Sequence, residues 1–257
     1  MPFAPTNDNQ EIYYEVYGNT GPILMMVSGY MGIVDIWKPL LGRLSNRYCC
    51  IVHDNRGFGR SSKPESANAY SVSRHAEDTN AVLMALNIKE KVTMVTHSMG
   101  GNIAAAYYLA HSERVAGIIS SATYFDGKLV RPFLPLDTLT HRTDEPSQVA
   151  AFYAQIGLME EIALEAAKWP AYGRRYNAKA LLDFDIEDGY TRIQAPMLLI
   201  HGDQDSATPL ESLVKPIQQV VPSCWLQVLK GIKHFPPTEA PEEIEKLIDG
   251  FVSEHCG

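Results

Sequence analysis

The most informative part of the chain is the stretch Val92-Thr-Met-Val-Thr-His-Ser-Met-Gly-Gly101. Its first residues are apolar or β-branched and predict a buried strand, and the residues from its two glycines to Leu109 predict a helix. Ser98 therefore lies at a sharp strand-to-helix turn, which is the setting of a G-x-S-x-G nucleophile elbow. The glycines would let the helix pass close to the strand, and the free N–H groups of the first helical turn would lie beside the serine. Thr96 replaces the first glycine of the motif, so the turn must accommodate a β-branched side chain.

Composition bounds the class of protein. The 257 residues are 46% hydrophobic and 20% charged, which fits one large α/β domain or a core domain with an insertion. A net charge of −8 argues against a nucleic-acid partner, and no apolar stretch is long enough to cross a bilayer. The first ten residues lack the apolar core of a signal peptide. The four cysteines show no metal-ligand spacing and fit reduced thiols, so we expect a cytoplasmic protein without a membrane partner.

Short apolar runs alternate with helical patterns along the chain. Besides the strand before Ser98, strands are predicted at Glu11–Tyr17, Pro22–Val27, Tyr48–Val52, Val115–Ser120 and Met197–Ile200, and the stretch Val228–His234 is predicted to hold a further strand followed by a loop. Amphipathic helices are predicted over residues 73–86 and 239–251. Continuous apolar runs of this length are typical of parallel strands that are covered on both faces. The fold class is therefore α/β, with a mostly parallel central sheet and helices on both faces.

Residues 124–193 interrupt this alternation. The segment is rich in proline and aromatic residues, and helices are predicted near Gln148–Ile156, Met159–Lys168 and Asn177–Leu182. We interpret it as a small helical cap inserted into a core domain formed by residues 1–123 and 194–257. The alternative is that these are ordinary helices covering the sheet.

A serine nucleophile needs a base, and the base needs an acid that orients it. In a fold with this elbow the order along the chain is Ser, Asp or Glu, His. Asp205 follows a predicted strand in Gly202-Asp-Gln-Asp205, and His234 follows a later strand, so both are expected at the carboxyl edge of the sheet. Asp203, and less directly Asp126, are alternative acids. His97 and His201 stand beside the motifs and are expected to pack locally.

Three loops together carry a resemblance to the α/β-hydrolase fold superfamily, in its single-domain esterase and lactonase branch, over residues 10–252. Val27-Ser-Gly-Tyr-Met-Gly32 lies where the family has its H-G-x-x-G oxyanion loop, and Asp54-Asn-Arg-Gly-Phe-Gly-Arg-Ser61 is similar to its D-x-R-G-x-G-x-S loop. The loop that ends at Asp205 matches its G-x-x-D motif. The resemblance implies an oxyanion hole made by the backbone N–H groups of Tyr30 and Met99. Ser28 stands where the family has a histidine.

These residues predict a catalytic triad of Ser98, His234 and Asp205 that needs no cofactor and no metal. The expected reaction is hydrolysis of a carboxylic ester or lactone of a small-molecule substrate through an acyl-enzyme. The same triad could instead act on a C–C, amide or thioester bond, or as a perhydrolase. A reading from a different class is a ligand receptor that retains a vestigial hydrolase site, since fold alone does not choose a function. The sequence does not indicate the oligomeric state.

Aromatic side chains concentrate in the cap segment and near the oxyanion loop. The residues predicted to line an apolar pocket over Ser98 are Met31, Trp37, Tyr124, Phe125, Phe133, Phe152, Trp169 and Tyr172. The alternative is that at least half of the aromatic residues only attach the cap to the core. Few cations are placed to reach the elbow, apart from Arg56, Arg60 and Arg131, which favours a neutral substrate over a highly anionic one.

Overall fold

The computed structural model describes residues 2–256, in which an eight-stranded sheet is the central element. The strands are β1 (Phe3–Pro5), β2 (Glu11–Tyr17), β3 (Ile23–Val27), β4 (Cys49–His53), β5 (Val92–His97), β6 (Val115–Ser121), β7 (Met197–Gly202) and β8 (Cys224–Leu229). The α-helices are α1 (Lys38–Leu44), α2 (Val72–Ala85), α3 (Met99–Ala110), α4 (Gly127–Val130), α5 (Leu136–Leu139), α6 (Pro146–Gln155), α7 (Glu160–Ala166), α8 (Ala171–Leu182), α9 (Lys215–Val220), α10 (Pro236–Glu239) and α11 (Pro241–His255).

The strand order β1-β2-β4-β3-β5-β6-β7-β8 brings the functional loops together at one edge. Strands β1 and β2 pair antiparallel, β2 pairs antiparallel with β4, and the remaining pairs are parallel. Strand β3 lies between β4 and β5, where Met26 pairs with Val52 and with Val95. The loops that follow β3, β4 and β5 therefore leave the sheet side by side. The predicted fold class is confirmed.

Helices cover both faces of the sheet. Successive side chains of a strand point to opposite faces, so a strand of consecutive apolar residues buries side chains on both. Leu24 and Met26 of β3 join a buried apolar cluster with α1 and α11 on one face. Met25 and Val27 join a larger cluster with α2 and α3 on the other face. This two-sided burial explains why the sequence of β3 shows no alternation between apolar and polar residues.

Helices α4 to α8 lie between β6 and β7, in the segment interpreted as a cap. Two of its predicted helices correspond to α6 and α7, whereas α8 begins at Ala171, six residues before the predicted start. The division into core and cap domains stays a prediction. All four cysteines are free thiols. Within residues 2–256, no helix is both long and apolar enough to cross a membrane.

Candidate active site

Ser98 occupies the turn between β5 and α3 in a strained backbone conformation. Its φ of 54° and ψ of −126° lie in a region that residues other than glycine rarely adopt. Its N–H donates a 2.8 Å hydrogen bond to the carbonyl oxygen of Ser121 on β6, which holds the turn against the sheet. The strain is characteristic of a nucleophile elbow, in which the hydroxyl is lifted above the end of the strand.

The neighbours of Ser98 explain how the tight turn is accommodated. A Cβ atom at Gly100 would lie 2.1 Å from the carbonyl oxygen of Val27 on β3, and one at Gly101 would lie 2.3 Å from Oγ1 of Thr123 after β6. The two glycines thus let α3 pass close to segments of the neighbouring strands, and not to β5 itself. The β-branched Thr96 fits because its hydroxyl turns toward β6. There it shares a 2.7 Å hydrogen bond with the Ser120 hydroxyl and donates to the carbonyl oxygen of Ile119 at 3.2 Å.

The structure brings Ser98, His234 and Asp205 into one line of hydrogen-bonding groups. Nε2 of His234 lies 3.2 Å from Oγ of Ser98, and Nδ1 of His234 lies 2.8 Å from Oδ2 of Asp205. All three residues are buried. The carboxylate fixes which ring nitrogen carries a proton, because an ionised carboxylate can only accept a hydrogen bond. Nε2 is then the acceptor that faces the serine hydroxyl.

The carboxylate of Asp205 is itself held by several donors. Oδ1 accepts hydrogen bonds from the backbone N–H groups of Ala207 and Thr208, at 2.8 and 3.0 Å. Oδ2 accepts from the Thr208 hydroxyl at 2.7 Å in addition to His234. Burial alone would raise the pKa of the Asp205 carboxyl, but the His234 charge and these hydrogen bonds hold that pKa well below its usual range. Asp205 is therefore a preformed anion behind the imidazole.

The two alternative acids do not reach His234. Asp203 is exposed, and its Oδ1 accepts a 2.7 Å hydrogen bond from the N–H of Gly231, which braces the loop. Asp126 is the N-cap of α4, where its Oδ1 accepts from the N–H of Leu129 at 2.8 Å. Both carboxylates are occupied by local structure.

Two further buried histidines flank this line. The ring of His97 packs edge-on against His234, with centroids 5.1 Å apart, and at 4.7 Å against Phe235. Nδ1 of His201 lies 4.0 Å from Oδ2 of Asp205. Burial lowers the pKa of both His97 and His201, so they remain neutral at physiological pH. Both rings pack beside the His234–Asp205 pair, and His97 also lines the cavity above Ser98.

The predicted oxyanion loop (residues 27–32) lies directly against the elbow. A Cβ at Gly29 would be 2.8 Å from both the Met99 nitrogen and Cβ of Ser98, so only glycine fits there. Met99 is the first residue of α3, and its N–H therefore has no acceptor within the helix. Within residues 2–256, no protein acceptor lies in hydrogen-bonding range of the Tyr30 N–H either. Both predicted oxyanion donors are thus free to bind a ligand atom.

The inner cavity above Ser98 is small and mostly apolar. Its volume is about 30 Å³. Its lining residues are Tyr30, His97, Ser98, Leu134, Leu139, Phe152, Tyr153, Ile156, Leu181, Ala207, His234 and Phe235. A drug-sized ligand needs roughly 300 Å³ or more, so this cavity accommodates at most a small part of a substrate.

A second, outer cavity of about 430 Å³ adjoins the inner one. Leu139, Phe152 and Tyr153 line both cavities and form a partition between them. The Tyr30 hydroxyl donates a 3.1 Å hydrogen bond to the Leu139 carbonyl oxygen, which attaches the partition to the oxyanion loop. The same three side chains therefore bound both cavities.

Most of the predicted pocket residues lie elsewhere, and the prediction needs correction. The structure describes all eight residues that were predicted to line the pocket, and among them Phe152 alone lines the inner cavity. Met31 and Trp37 are buried in the core, and Trp37 belongs to the cluster on the face of α1 and α11. Phe133 is 41% exposed on the surface. Aromatic content predicts burial, but it does not predict the direction in which a side chain points.

The remaining members of that group pack either within the cap segment or against the core. The Tyr124 hydroxyl donates to the Leu181 carbonyl oxygen at 3.4 Å, and Phe125 stacks on Tyr190. Trp169 lies under the ammonium group of Lys63 at 4.7 Å, and the Tyr172 hydroxyl donates to the Lys63 carbonyl oxygen at 2.9 Å. The contacts of Trp169 and Tyr172 with Lys63 attach the cap segment to the core, as the alternative expects, whereas those of Tyr124 and Phe125 lie within the cap segment.

The three arginines considered near the elbow are all paired with carboxylates. Arg56 binds Asp78 and Asp8, Arg60 binds Asp54 and Glu15, and Arg131 binds Asp183. Arg174 of α8, which the sequence did not single out, is buried and donates to the backbone carbonyl oxygens of Ala167, Trp169 and Thr143. Arg174 does not line the inner cavity. No arginine of the described chain thus faces Ser98.

Comparisons with known proteins agree with this architecture. The family model described as alpha/beta hydrolase fold matches residues 22–156, slightly more than half of the chain. A non-heme haloperoxidase of Rhodococcus erythropolis is 27% identical over 266 residues, which cover 91% of this chain and 93% of that protein. A bifunctional esterase/perhydrolase of Acinetobacter calcoaceticus is 25% identical over 289 residues, which cover 98% and 99%. The structure of an esterase from Exiguobacterium antarcticum matches with a TM-score of 0.87 at 24% identity, over 98% of each chain.

Proposed function

Because the chain belongs to the α/β-hydrolase fold family, we propose that it is a serine hydrolase that cleaves a carboxylic ester or lactone. The observation that carries the proposal is the buried line of hydrogen-bonding groups from Asp205 through His234 to Ser98, directly below an apolar cavity. In this proposal Ser98 is the nucleophile, His234 the general base and acid, and Asp205 the residue that orients the imidazole.

The reaction would proceed in two halves. Nε2 of His234 removes the proton from Ser98 as Oγ attacks the carbonyl carbon, and the protonated imidazole then gives that proton to the leaving alkoxide. Water enters, and His234 takes one of its protons as the resulting hydroxide attacks the acyl carbon. The bond from that carbon to Oγ of Ser98 then breaks, the imidazolium returns the proton to Oγ, and the acid is released. Asp205 stays ionised throughout and stabilises the imidazolium.

The negative charge that develops on the carbonyl oxygen would be bound by the N–H groups of Tyr30 and Met99. Met99 contributes the N-terminal end of α3, where the helix dipole also favours an anion. A single donor of this kind is worth about 3–4 kcal/mol in related chemistry. The absence of competing protein acceptors for either N–H, within residues 2–256, supports this role.

The lining of the inner cavity supports a neutral, apolar substrate of small to medium size. Leu139, Phe152, Ile156 and Phe235 surround the serine, and within residues 2–256 no lysine or arginine lines this cavity. A ring or alkyl body larger than the inner cavity would have to displace the partition and extend into the outer cavity. The proposed substrate class is therefore a neutral ester or lactone.

Active-site labelling tests the nucleophile. A fluorophosphonate should label the protein, and peptide mapping should place the adduct on Ser98. Ser98→Ala should prevent labelling and reduce turnover to a residual level, because members of a triad act as a unit. Labelling of another residue, or none in folded protein, would contradict the assignment. A panel of neutral esters and lactones against phosphorylated and polycarboxylate esters tests the substrate class, and a higher kcat/KM for the charged set would overturn it.

A second candidate is perhydrolysis, in which hydrogen peroxide replaces water in the attack on the acyl-enzyme. The names of two relatives, a haloperoxidase and an esterase/perhydrolase, favour considering it. Peracid formation from acetate and peroxide, absent in Ser98→Ala, would identify this activity. A hydrolysis rate that peroxide leaves unchanged, with no peracid formed, would exclude it.

A further inference from the structure

We propose that Asn55 is a positioning residue that holds the oxyanion hole in its active geometry, an inference that rests on the proposed function. Asn55 follows β4 and is fully buried. Its Nδ2 donates to the carbonyl oxygens of Ser28 at 2.9 Å and Gly29 at 2.8 Å, and its backbone N–H donates to the Gly32 carbonyl oxygen at 3.0 Å. One residue thus binds three carbonyl groups of the oxyanion loop.

The bond to Gly29 determines the direction of the proposed donor. The carbonyl of Gly29 and the N–H of Tyr30 belong to the same peptide group, which is planar and trans. The two groups point in opposite directions, so a carbonyl directed toward Asn55 sends the Tyr30 N–H away from Asn55. Gly29 packs against Ser98 and Met99, and this peptide group is therefore next to the reacting serine.

The surroundings of Asn55 are shaped for this contact. A Cβ at Gly32 would lie 2.6 Å from Nδ2 of Asn55, so glycine leaves the space that the amide occupies. Ser28, where the family motif has a histidine, makes only a long 3.4 Å contact from Oγ to the Ile33 carbonyl oxygen. Asn55 is therefore the side chain that holds the Ser28 and Gly29 carbonyl groups, whereas the Asp54 carboxylate accepts the N–H of Val34 just after them.

An oxyanion donor acts mainly when charge develops on the substrate oxygen. Loss of the Asn55 amide should therefore lower kcat more than it raises KM. It should also lower the binding affinity for a trifluoromethyl ketone, whose adduct with a serine carries an oxyanion, by the same factor as kcat. A merely structural role would lower stability without linking these two quantities.

The experiment compares Asn55→Leu and Asn55→Ser with Asn102→Leu, using p-nitrophenyl butyrate and the trifluoromethyl ketone. Asn102 is a matched control because it is equally buried, and its Nδ2 also donates to two acceptors, Tyr124 O and Tyr190 Oη, away from the oxyanion loop. In the described chain, Oδ1 of Asn55 and Oδ1 of Asn102 are both buried without a hydrogen-bond partner. Leucine keeps the side-chain size and removes both donors, whereas serine keeps one hydroxyl donor and provides a second folded variant.

We expect kcat of Asn55→Leu to fall about 10- to 100-fold, with KM within about threefold and a parallel loss of ketone affinity. The kcat of Asn55→Ser should fall about tenfold. The kcat of Asn102→Leu should stay within about threefold of the wild-type value, although this variant loses a comparable amount of thermal stability. A folded Asn55 variant with unchanged kcat would overturn the inference about Asn55 and leave the proposed function standing. An equal loss of kcat in Asn102→Leu would do the same. A wild-type protein that neither turns over the ester nor reacts with a fluorophosphonate would overturn the proposed function itself, and the inference with it.

Discussion

Replacing Asp205 by asparagine should remove activity through the tautomer of His234 and leave the fold intact. Oδ1 of Asp205 accepts two backbone N–H groups, so the amide oxygen of the asparagine must take that place. The amide NH2 then replaces Oδ2, 2.8 Å from Nδ1 of His234. The Thr208 hydroxyl can accept its other hydrogen, because that hydroxyl also lies 3.3 Å from the Ala122 carbonyl oxygen and can donate there instead.

The magnitude follows from that exchange. An NH2 group facing Nδ1 makes Nδ1 an acceptor, and the proton of a neutral imidazole moves to Nε2. Nε2 lies 3.2 Å from Oγ of Ser98 and can no longer take the serine proton. The corresponding change in serine proteases lowers kcat by about 10⁴, which equals about 5.4 kcal/mol in the activation free energy.

The assay is steady-state hydrolysis of a p-nitrophenyl ester, with thermal melting to verify folding. Asp203→Asn is the control, because its single bond to the Gly231 N–H can be made equally well by an amide oxygen. We expect that variant to keep activity within about threefold and to lose less than about 1 kcal/mol of stability. The reasoning is refuted if folded Asp205→Asn keeps more than about a tenth of wild-type kcat. A larger loss in Asp203→Asn would reassign the acid.

Two further predictions concern the partition and the buried histidines. Phe152→Ala should connect the inner and outer cavities and raise kcat/KM for esters with longer acyl chains relative to acetate esters. Phe133→Ala, on the surface, is the control and should leave this chain-length preference unchanged. An unchanged preference in Phe152→Ala would show that the partition does not select the substrate. Burial and the charge of Arg56 lower the pKa of His75 to about 3, so the unfolded chain binds a proton that the folded protein excludes. His75 should therefore lower the free energy of unfolding by about 1.4 kcal/mol for each pH unit below about 6.5. Urea unfolding of His75→Gln should show a correspondingly shallower pH dependence of that free energy. An identical slope in the variant and the wild type would contradict the prediction.

The features that were predictable from sequence are those encoded by short stretches of chain. The strands β2 to β7 lie within about two residues of the predicted positions, because continuous apolar runs bounded by turns have few other solutions. The elbow was predictable for the same reason, since a strand, a serine and two glycines occupy adjacent positions. Short elements such as β1 and α5 carry too few residues for a periodic pattern, and they were missed.

The features that only the tertiary structure decided are the directions of side chains and the partners that distant segments provide. Phe152 lines the cavity above Ser98 and packs edge-on against Tyr153, whereas Phe133 is exposed. Both are phenylalanines of the cap segment, so residue type did not distinguish them. Asn55 is one polar residue in a loop until the fold brings Ser28 and Gly29 within reach of its amide. Local sequence determined the elements and the order of the candidate triad, because turn chemistry and hydrophobic pattern act over about ten residues. The shape of the cavity and the support of the oxyanion loop depend on contacts between segments far apart in the chain, and those contacts exist only once the chain is folded.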